Sequence, residues 1–370
     1  MSGIGNTDEA LTRIIKSSRD KKDEEATNVK DVSVFDTNYA PKKILVREEI
    51  PKISDDIAEY EKFRIPRHVI IYGSKGSGKT LTILSICQAL KGDGRSIVDH
   101  IYINCREVPT SYKIYAKIGN TTQKGLPVQE LRETADKFLT DHTLLILDEV
   151  DFLKDFDILY HITRFTKSNL ILLTQKVYWY QNMSDESVKS SLQPDNIFFK
   201  DYNTDQLAQI LDLRAASGLN NYSPEALALL STLIVKEYRS DARIGIKALS
   251  ILGKSNKWDD KNVYYAIRQA SLEVEGDTLK NLSDKDLMVF HSLIKYTDTN
   301  KAFNAIAKSD SLYTRGMSKP TFLQSATHLQ NLGLLSLIKK RSGRFYTLEA
   351  QMLISDTDIV SNELKRRYQE

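Results

Sequence analysis

Between the apolar run His68–Tyr72 and the helix-like stretch Leu81–Leu90 lie Gly73, Ser74, Lys75, Gly76, Ser77, Gly78, Lys79 and Thr80, a full GxxxxGK[ST] loop joining a strand to a helix. That is the context a phosphate-binding loop requires, and it places this part of the chain in an α/β fold. Gly73, Gly76 and Gly78 let the backbone curl into positive φ and turn its N–H groups inward, while the positive end of the following helix adds to the same field. Lys79 is placed to neutralise the β- and γ-phosphates of a nucleotide, and Thr80, just before Leu81, to ligate Mg²⁺. The competing explanation, a glycine turn with an incidental lysine, is disfavoured by a complete match with the correct flanks.

A loop that binds nucleotide does not by itself hydrolyse it. The second half of such a site is read at Thr143–Asp151, where four apolar residues, Leu144–Leu147, form a buried parallel strand that ends in Asp148 and Glu149. Asp148 would hold Mg²⁺ and Glu149 would polarise the attacking water. The same pattern is also that of an ordinary strand entering a capped helix; its separation from the glycine loop favours the catalytic pairing.

Composition narrows the class. At 370 residues the chain exceeds one typical core, so two or three domains are expected. Cys87 and Cys105 sit in apolar elements without metal-ligand spacing and read as small core residues of a reducing compartment. No apolar run approaches the roughly 20 residues of a membrane span, and Met1–Lys30 is polar rather than signal-like. A cytoplasmic, nucleoid-associated protein without a membrane partner is expected.

Along the chain, residues 1–34 are polar and mixed in charge and are read as a flexible arm. Residues 35–200 alternate strand-like runs (His68–Tyr72, Ile97–Asn104, Leu144–Leu147, Leu170–Thr174, Asn196–Phe199) with helical patterns, which implies a five-stranded parallel sheet with right-handed crossovers. Residues 201–278 carry N-cap signals followed by helical spacing and no strand pattern, an all-α lid.

Residues 279–370 begin with two short helices, Asp286–Lys295 and Lys301–Lys308. A third opens at Ser318 and Pro320 and stops at Gly333. Leu334–Lys340 and Phe345–Leu348 then flank a polar turn, so the pattern is three helices and a basic hairpin, a winged helix. In the third helix Phe322, Leu323, Ala326, Leu329 and Leu332 share one face and Gln324, Thr327, His328 and Asn331 the other, where they would meet base edges in a major groove. Net charge is only +3 overall, yet from Ser311 to Leu348 there is no Asp or Glu, while Arg315, Lys319, Lys339, Lys340, Arg341 and Arg344 supply +6. The local field favours DNA, with the hairpin along phosphate. A winged helix used for protein contact, with a merely solvated hairpin, is the alternative.

With these parts in order, the chain resembles the archaeal AAA+ replication initiators of the origin-recognition-complex and cell-division-cycle type, over about residues 34–350. The resemblance extends to Val34–Glu48, the segment that helps enclose adenine and includes Val46; to Tyr102–Glu107 and Pro109–Lys117, where the family carries an extra helix; and to Val188–Leu192, Ile197–Tyr202 and Gln206–Ala215. It implies that Tyr202 and Arg214 line the nucleotide pocket. It also implies that Arg243, in a Ser240–Arg243 segment similar to the family's Gly-Asp-Ala-Arg, reaches the γ-phosphate from the lid, unless it pairs with Asp241 or Asp212 instead. Three positions depart from the family pattern. Gln175 stands for the usual sensor Asn, Ser187 for an Arg that acts on a neighbouring subunit, and Ser240 for Gly, the mildest of the three. Slow turnover and a nucleotide-held switch are the expectation. The resemblance implies ATP/ADP and Mg²⁺ as cofactors, and double-stranded origin DNA, a second initiator paralogue and the replicative helicase as partners. A nucleotide-sensing winged-helix transcription regulator is the runner-up. A clamp-loader subunit is third, because a helical collar should then replace the hairpin.

Overall fold

The computed structural model describes residues 12–13, 15–17, 28–36, 39–41, 43–92, 94, 96–123, 125–308, 315–342, 345–354 and 356–368. The chain divides into two compact units, Met1–Trp258 and Asp259–Glu370.

The first unit is built on strands β1 (Val69–Gly73), β2 (Asp99–Asn104), β3 (Thr143–Asp148), β4 (Asn169–Thr174) and β5 (Asp195–Phe199), ordered β2-β3-β4-β1-β5 with every pairing parallel. Because alternate residues of a strand point to opposite faces, the unbroken apolar runs feed two cores at once. Ile70, Leu145, Leu147, Leu170 and Leu172 pack on one face with helices α3 (Ser111–Ile118), α4 (Val128–Asp136), α5 (Asp157–Phe165) and α6 (Glu186–Leu192). Val69, Ile71, Leu144, Ile146, Ile171 and Leu173 pack on the other with α1 (Glu49–Phe63) and α2 (Lys79–Gly92). The result is a three-layer α/β/α core in which the C-terminal ends of β1, β3 and β4 share one edge, where ligands bind in open α/β sheets.

Three helices complete this unit: α7 (Thr204–Gly218), α8 (Pro224–Glu237) and α9 (Ala242–Ser255). Their starts follow capping chemistry. Asn203 and Gln206 form a reciprocal capping box, Ser223 caps a helix with Pro224 in its first turn, and Asp241 accepts from the Arg243 amide. The polar arm expected over residues 1–34 is anchored from Asn28 onward, while the rest of that stretch lies almost wholly outside the described residues. The Asn28 amide donates to the carbonyls of Asn221 at 2.9 Å and Gly253 at 3.3 Å, and accepts from the Asn221 amide at 2.8 Å. Val34 and Phe35 are buried, the Phe35 ring lying where a side chain at Gly218 would otherwise stand. Composition alone missed this because one buried amide and two apolar side chains suffice to pin a short polar segment.

The second unit comprises α10 (Asp260–Lys280), α11 (Asp284–Tyr296), α12 (Thr299–Ala307), α13 (Lys319–Asn331), an antiparallel hairpin β6 (Leu335–Ser342) and β7 (Phe345–Met352), and α14 (Asp358–Arg367). Residues 259–278, assigned from sequence to the lid, group by contact with this unit, because α10 packs against α14. Arg367 is the fastener of that packing. It donates to the carbonyls of Leu282 at 2.8 Å and of Leu279 and Lys280 at 2.9 Å, and meets Asp284 and Glu363. No helix among the described residues is long and apolar enough to cross a membrane. Arg367→Ala is expected to destabilise the second unit by ~2 kcal/mol, since carbonyls and carboxylates lose a charged donor. Urea unfolding followed by circular dichroism measures it, and an unchanged midpoint would remove Arg367 from that role.

Candidate nucleotide site and basic hairpin

The loop after β1 makes two turns that only glycine takes freely. Gly76 has φ of +78° and Gly78 of +84°. Both are also crowded: a side chain at Gly76 would collide with the Asp241 carboxylate and one at Gly78 with the Tyr202 hydroxyl. Gly73, expected to share the positive φ, lies outside the left-handed region; close approach to Phe199 is what excludes a larger residue there.

Beyond the loop opens a cavity of about 600 Å³ between core and lid. The segment before the core and the lid supply Tyr39, Pro41, Ile44, Leu45, Ile210, Leu213 and Ile246, an apolar set suited to a base. Lys75, Gly76, Gly78, Lys79, Thr80, Leu81, Asp148, Glu149, Gln175, Tyr202, Arg214 and Arg243 line it as well, so most residues singled out from the sequence meet here. Ser74 and Ser77 of the same loop are not among the cavity walls, Ser74 being bonded to Asp201 and Ser77 buried. Val46 is 78% exposed and outside the walls; Ile44 and Leu45 take the place expected of it.

Lys79 donates to the carbonyls of Gly73 at 2.9 Å and Ser74 at 2.8 Å and to Ser77 Oγ at 3.4 Å, so its three protons all serve its own loop. Burial brings its pKa down to about 8, against the opposing pull of Asp148 and Asp151. Thr80 Oγ1 donates to Asp148 Oδ2 at 2.6 Å, and Tyr102 donates to the same oxygen at 2.9 Å. Glu149 follows in a left-handed conformation, φ 51°, with its amide on Asp148 Oδ1 at 2.7 Å. Its carboxyl pKa is raised, first by burial and then by Asp148, while Arg106 and an Asn104 hydrogen bond oppose. Asp151 accepts from Thr174 Oγ1 at 2.8 Å and from the Gln175 amide at 3.0 Å, holding the end of β4.

From the lid, Arg243 lines the cavity but forks onto Asp241, the local pairing that stood as the alternative to phosphate contact. Arg214 is buried, donates to the carbonyls of Val34 at 2.7 Å and Tyr39 at 3.3 Å and lies over the Tyr39 ring, so it acts on the segment before the core. Ser187 is exposed at the start of α6. Residues to which the sequence reading gave no role include Arg47, Tyr102, Asn104 and Asp151. For Tyr102 and Asn104 the signal was spacing to a strand end, visible only once the register of β2 on β3 pairs Asn104 with Asp148.

Arg239 and Ser240 are consecutive left-handed residues, φ 53° and 57°, and Ser240 is buried. Serine here is therefore a strained substitute for glycine and not a mild one, at ~1–2 kcal/mol for the conformation. Ser240→Gly is expected to stabilise the first unit by ~0.5–1 kcal/mol after the entropy cost of glycine, read as a rise in urea midpoint. A second expectation concerns protons. Phosphate favours the charged form of Lys79, so ATP affinity should be highest below pH 8 and fall as pH rises through about 8, with proton uptake on binding above it. Calorimetry at pH 9 in buffers of different ionisation enthalpy measures that uptake, and none would contradict it.

In the second unit Gln324 and Thr327 on α13 are exposed, as is Lys319 at its start. His328 is half-buried, Nδ1 lying 3.1 Å from Asp286 Oδ2, so it also braces the helix. The Asn331 side chain and all of Arg344 lie outside the described residues. Lys339, Lys340 and Arg341 are exposed on β6, with Lys340 3.0 Å from Glu349 on β7. That acid stands one residue beyond the window without acids, so part of the hairpin charge is paired internally.

The family model described as AAA domain matches residues 64–175. The chain is 27% identical over 361 residues to the ORC1-type DNA replication protein 1 of Sulfolobus acidocaldarius, covering 89% of this chain and 90% of that one. Its fold is similar to that of the Aeropyrum pernix ORC1 protein in complex with DNA, at a TM-score of 0.73 and 23% identity over 92% of this chain and 97% of the other. It is also similar to the Aeropyrum pernix ORC2 protein in ADPNP–ADP complexes, at a TM-score of 0.57 and 20% identity over 93% of this chain and 100% of the other.

Proposed function

We propose that this chain, an AAA+ protein similar along most of its length to archaeal ORC1-type DNA replication proteins, is an ATP-dependent replication-origin recognition protein. The observation that carries the proposal is the cleft itself. One cavity brings the glycine loop, Asp148, Glu149 and Arg243 together, in a chain whose similarity to a replication protein spans both compact units.

ATP or ADP would place its base among Ile44, Leu45, Ile210 and Ile246 and its phosphates on the loop amides and Lys79. The residues present fit Mg²⁺: Thr80 would ligate it and Asp148 hold it through water, the remaining positions falling to phosphate and water. The described residues contain no cluster of three His, Cys, Asp or Glu side chains that could bind a metal alone. When bound, the ion neutralises phosphate charge. Glu149, its proton affinity raised by burial, accepts a hydrogen bond from the attacking water. Arg243 exchanges Asp241 for the γ-phosphate and so reports the nucleotide to the lid. Gln175, Ser187 and the strained Ser240 make turnover slow, and the nucleotide acts mainly as a switch. The winged helix binds duplex DNA through the α13 face carrying Gln324 and Thr327 and through Lys339 and Arg341; together with the core it recognises origin DNA, assembles with a second initiator and gates helicase loading.

Footprinting the purified protein across its host's origins tests the assignment. Protection at repeated origin sites is the expected result, and protection confined to promoters would favour a transcription regulator. Lys79→Ala should weaken binding of fluorescent ATP at least ~10-fold. Glu149→Gln should bind ATP normally and not hydrolyse it.

A further inference from the structure

Tyr102 was part of a strand in the sequence reading and has no role in the site as proposed. Its ring packs at the margin of the α1/α2 core, but its hydroxyl does something the ring does not need. Tyr102 and Asn104 lie two residues apart on β2 and so share a face, next to the end of β3 where Asp148 sits. The Tyr102 hydroxyl donates to Asp148 Oδ2 at 2.9 Å, the oxygen that Thr80 Oγ1 also meets at 2.6 Å, while the Glu149 amide holds Oδ1 at 2.7 Å.

An ionised carboxylate offers about four lone-pair sites. Three donors from three different directions therefore fix the plane of Asp148 and leave about one lone pair, on Oδ1, for a further donor. A buried carboxylate with fewer donors would be free to swing, and a metal held through its water shell depends on that orientation.

We propose that Tyr102 is a positioning residue for Mg²⁺: its hydroxyl locks the Asp148 carboxylate so that Thr80 and the free Oδ1 lone pair address the ion's first coordination sphere and its water. The proposal rests on the reading of the cleft as a Mg-nucleotide site. It assigns Tyr102 no contact with nucleotide, so its loss should act on the metal alone.

The test is Tyr102→Phe, which keeps the ring and removes the donor. Fluorescent ATP at fixed concentration is titrated with MgCl₂ against the full-length protein, and its affinity in EDTA is measured alongside. The expected result is a Mg²⁺ midpoint raised ~10-fold or more, the range seen when partners of metal ligands are removed, with affinity in EDTA unchanged. An unmoved midpoint would overturn the proposal. So would an equal loss in EDTA and in Mg²⁺, which would make Tyr102 a packing residue. Lys79→Ala in the same assay separates the two levels: undiminished ATP binding by that variant would remove the nucleotide site itself, whatever Tyr102→Phe does.

Discussion

One buried guanidinium holds the parts of the nucleotide cavity to one another. Arg47 donates to Ser77 O of the glycine loop at 2.6 Å and to Lys200 O beyond β5 at 2.5 Å, and forks onto Glu49 at the start of α1 at 3.0 and 3.1 Å. Its planar face lies 4.9 Å from the Phe199 ring centroid and 4.6 Å from that of Tyr202. A charge this deeply desolvated is tolerable only when every donor is met, so the sites that meet it are fixed in turn. Tyr202, held under Arg47, touches Gly78, so the same group that sets the loop's position also sets the place where the lid begins. An arginine suits this better than a lysine because its rigid fork reaches two carbonyls and a carboxylate while its face stacks on aromatics.

Two further cations of the cavity, Lys79 and Arg243, are satisfied locally. Lys79 serves the carbonyls of its own loop and Arg243 serves Asp241, which itself lies against Gly76. On the function proposed above, a bound phosphate would exchange partners with Lys79 and Arg243 and so shift the loop and the lid residues around Asp241. The left-handed pair Arg239 and Ser240 sits directly before that exchange, where backbone strain makes the arrangement easier to leave. Glu149, also left-handed, carries comparable strain at the end of β3.

In the second unit the same logic runs through shape. Phe303 meets Phe322 edge to face at 5.7 Å, and His328 and Asp286 tie α13 to α11, so the outer face of α13 is presented by a rigid support. Gln324 and Thr327 remain exposed on that face, while His328 engages Asp286. Basic residues on β6 remain exposed, though the Lys340–Glu349 pair moderates their field.

What the sequence by itself determined is the set of features whose cause is local. The central strands β1, β3 and β4 are legible because a strand buried on both faces needs an unbroken apolar run, and Asn203, Ser223, Asp241 and Ser318 start helices because their side chains satisfy amides within three residues. The phosphate loop is legible for the same reason, since its chemistry is written in eight consecutive residues. Only the tertiary structure decided which distant groups meet. The Arg47 bolt joins residues up to 153 positions apart, and two of the donors on Asp148, Thr80 and Tyr102, come from separate elements. It also decided that Val46 faces outward while its neighbours line the cleft, that His328 engages Asp286, and that residues 28–35 pack on the lid. Such outcomes depend on register and burial, which are properties of the assembled sheet and helices and have no counterpart in the spacing of residues along the chain.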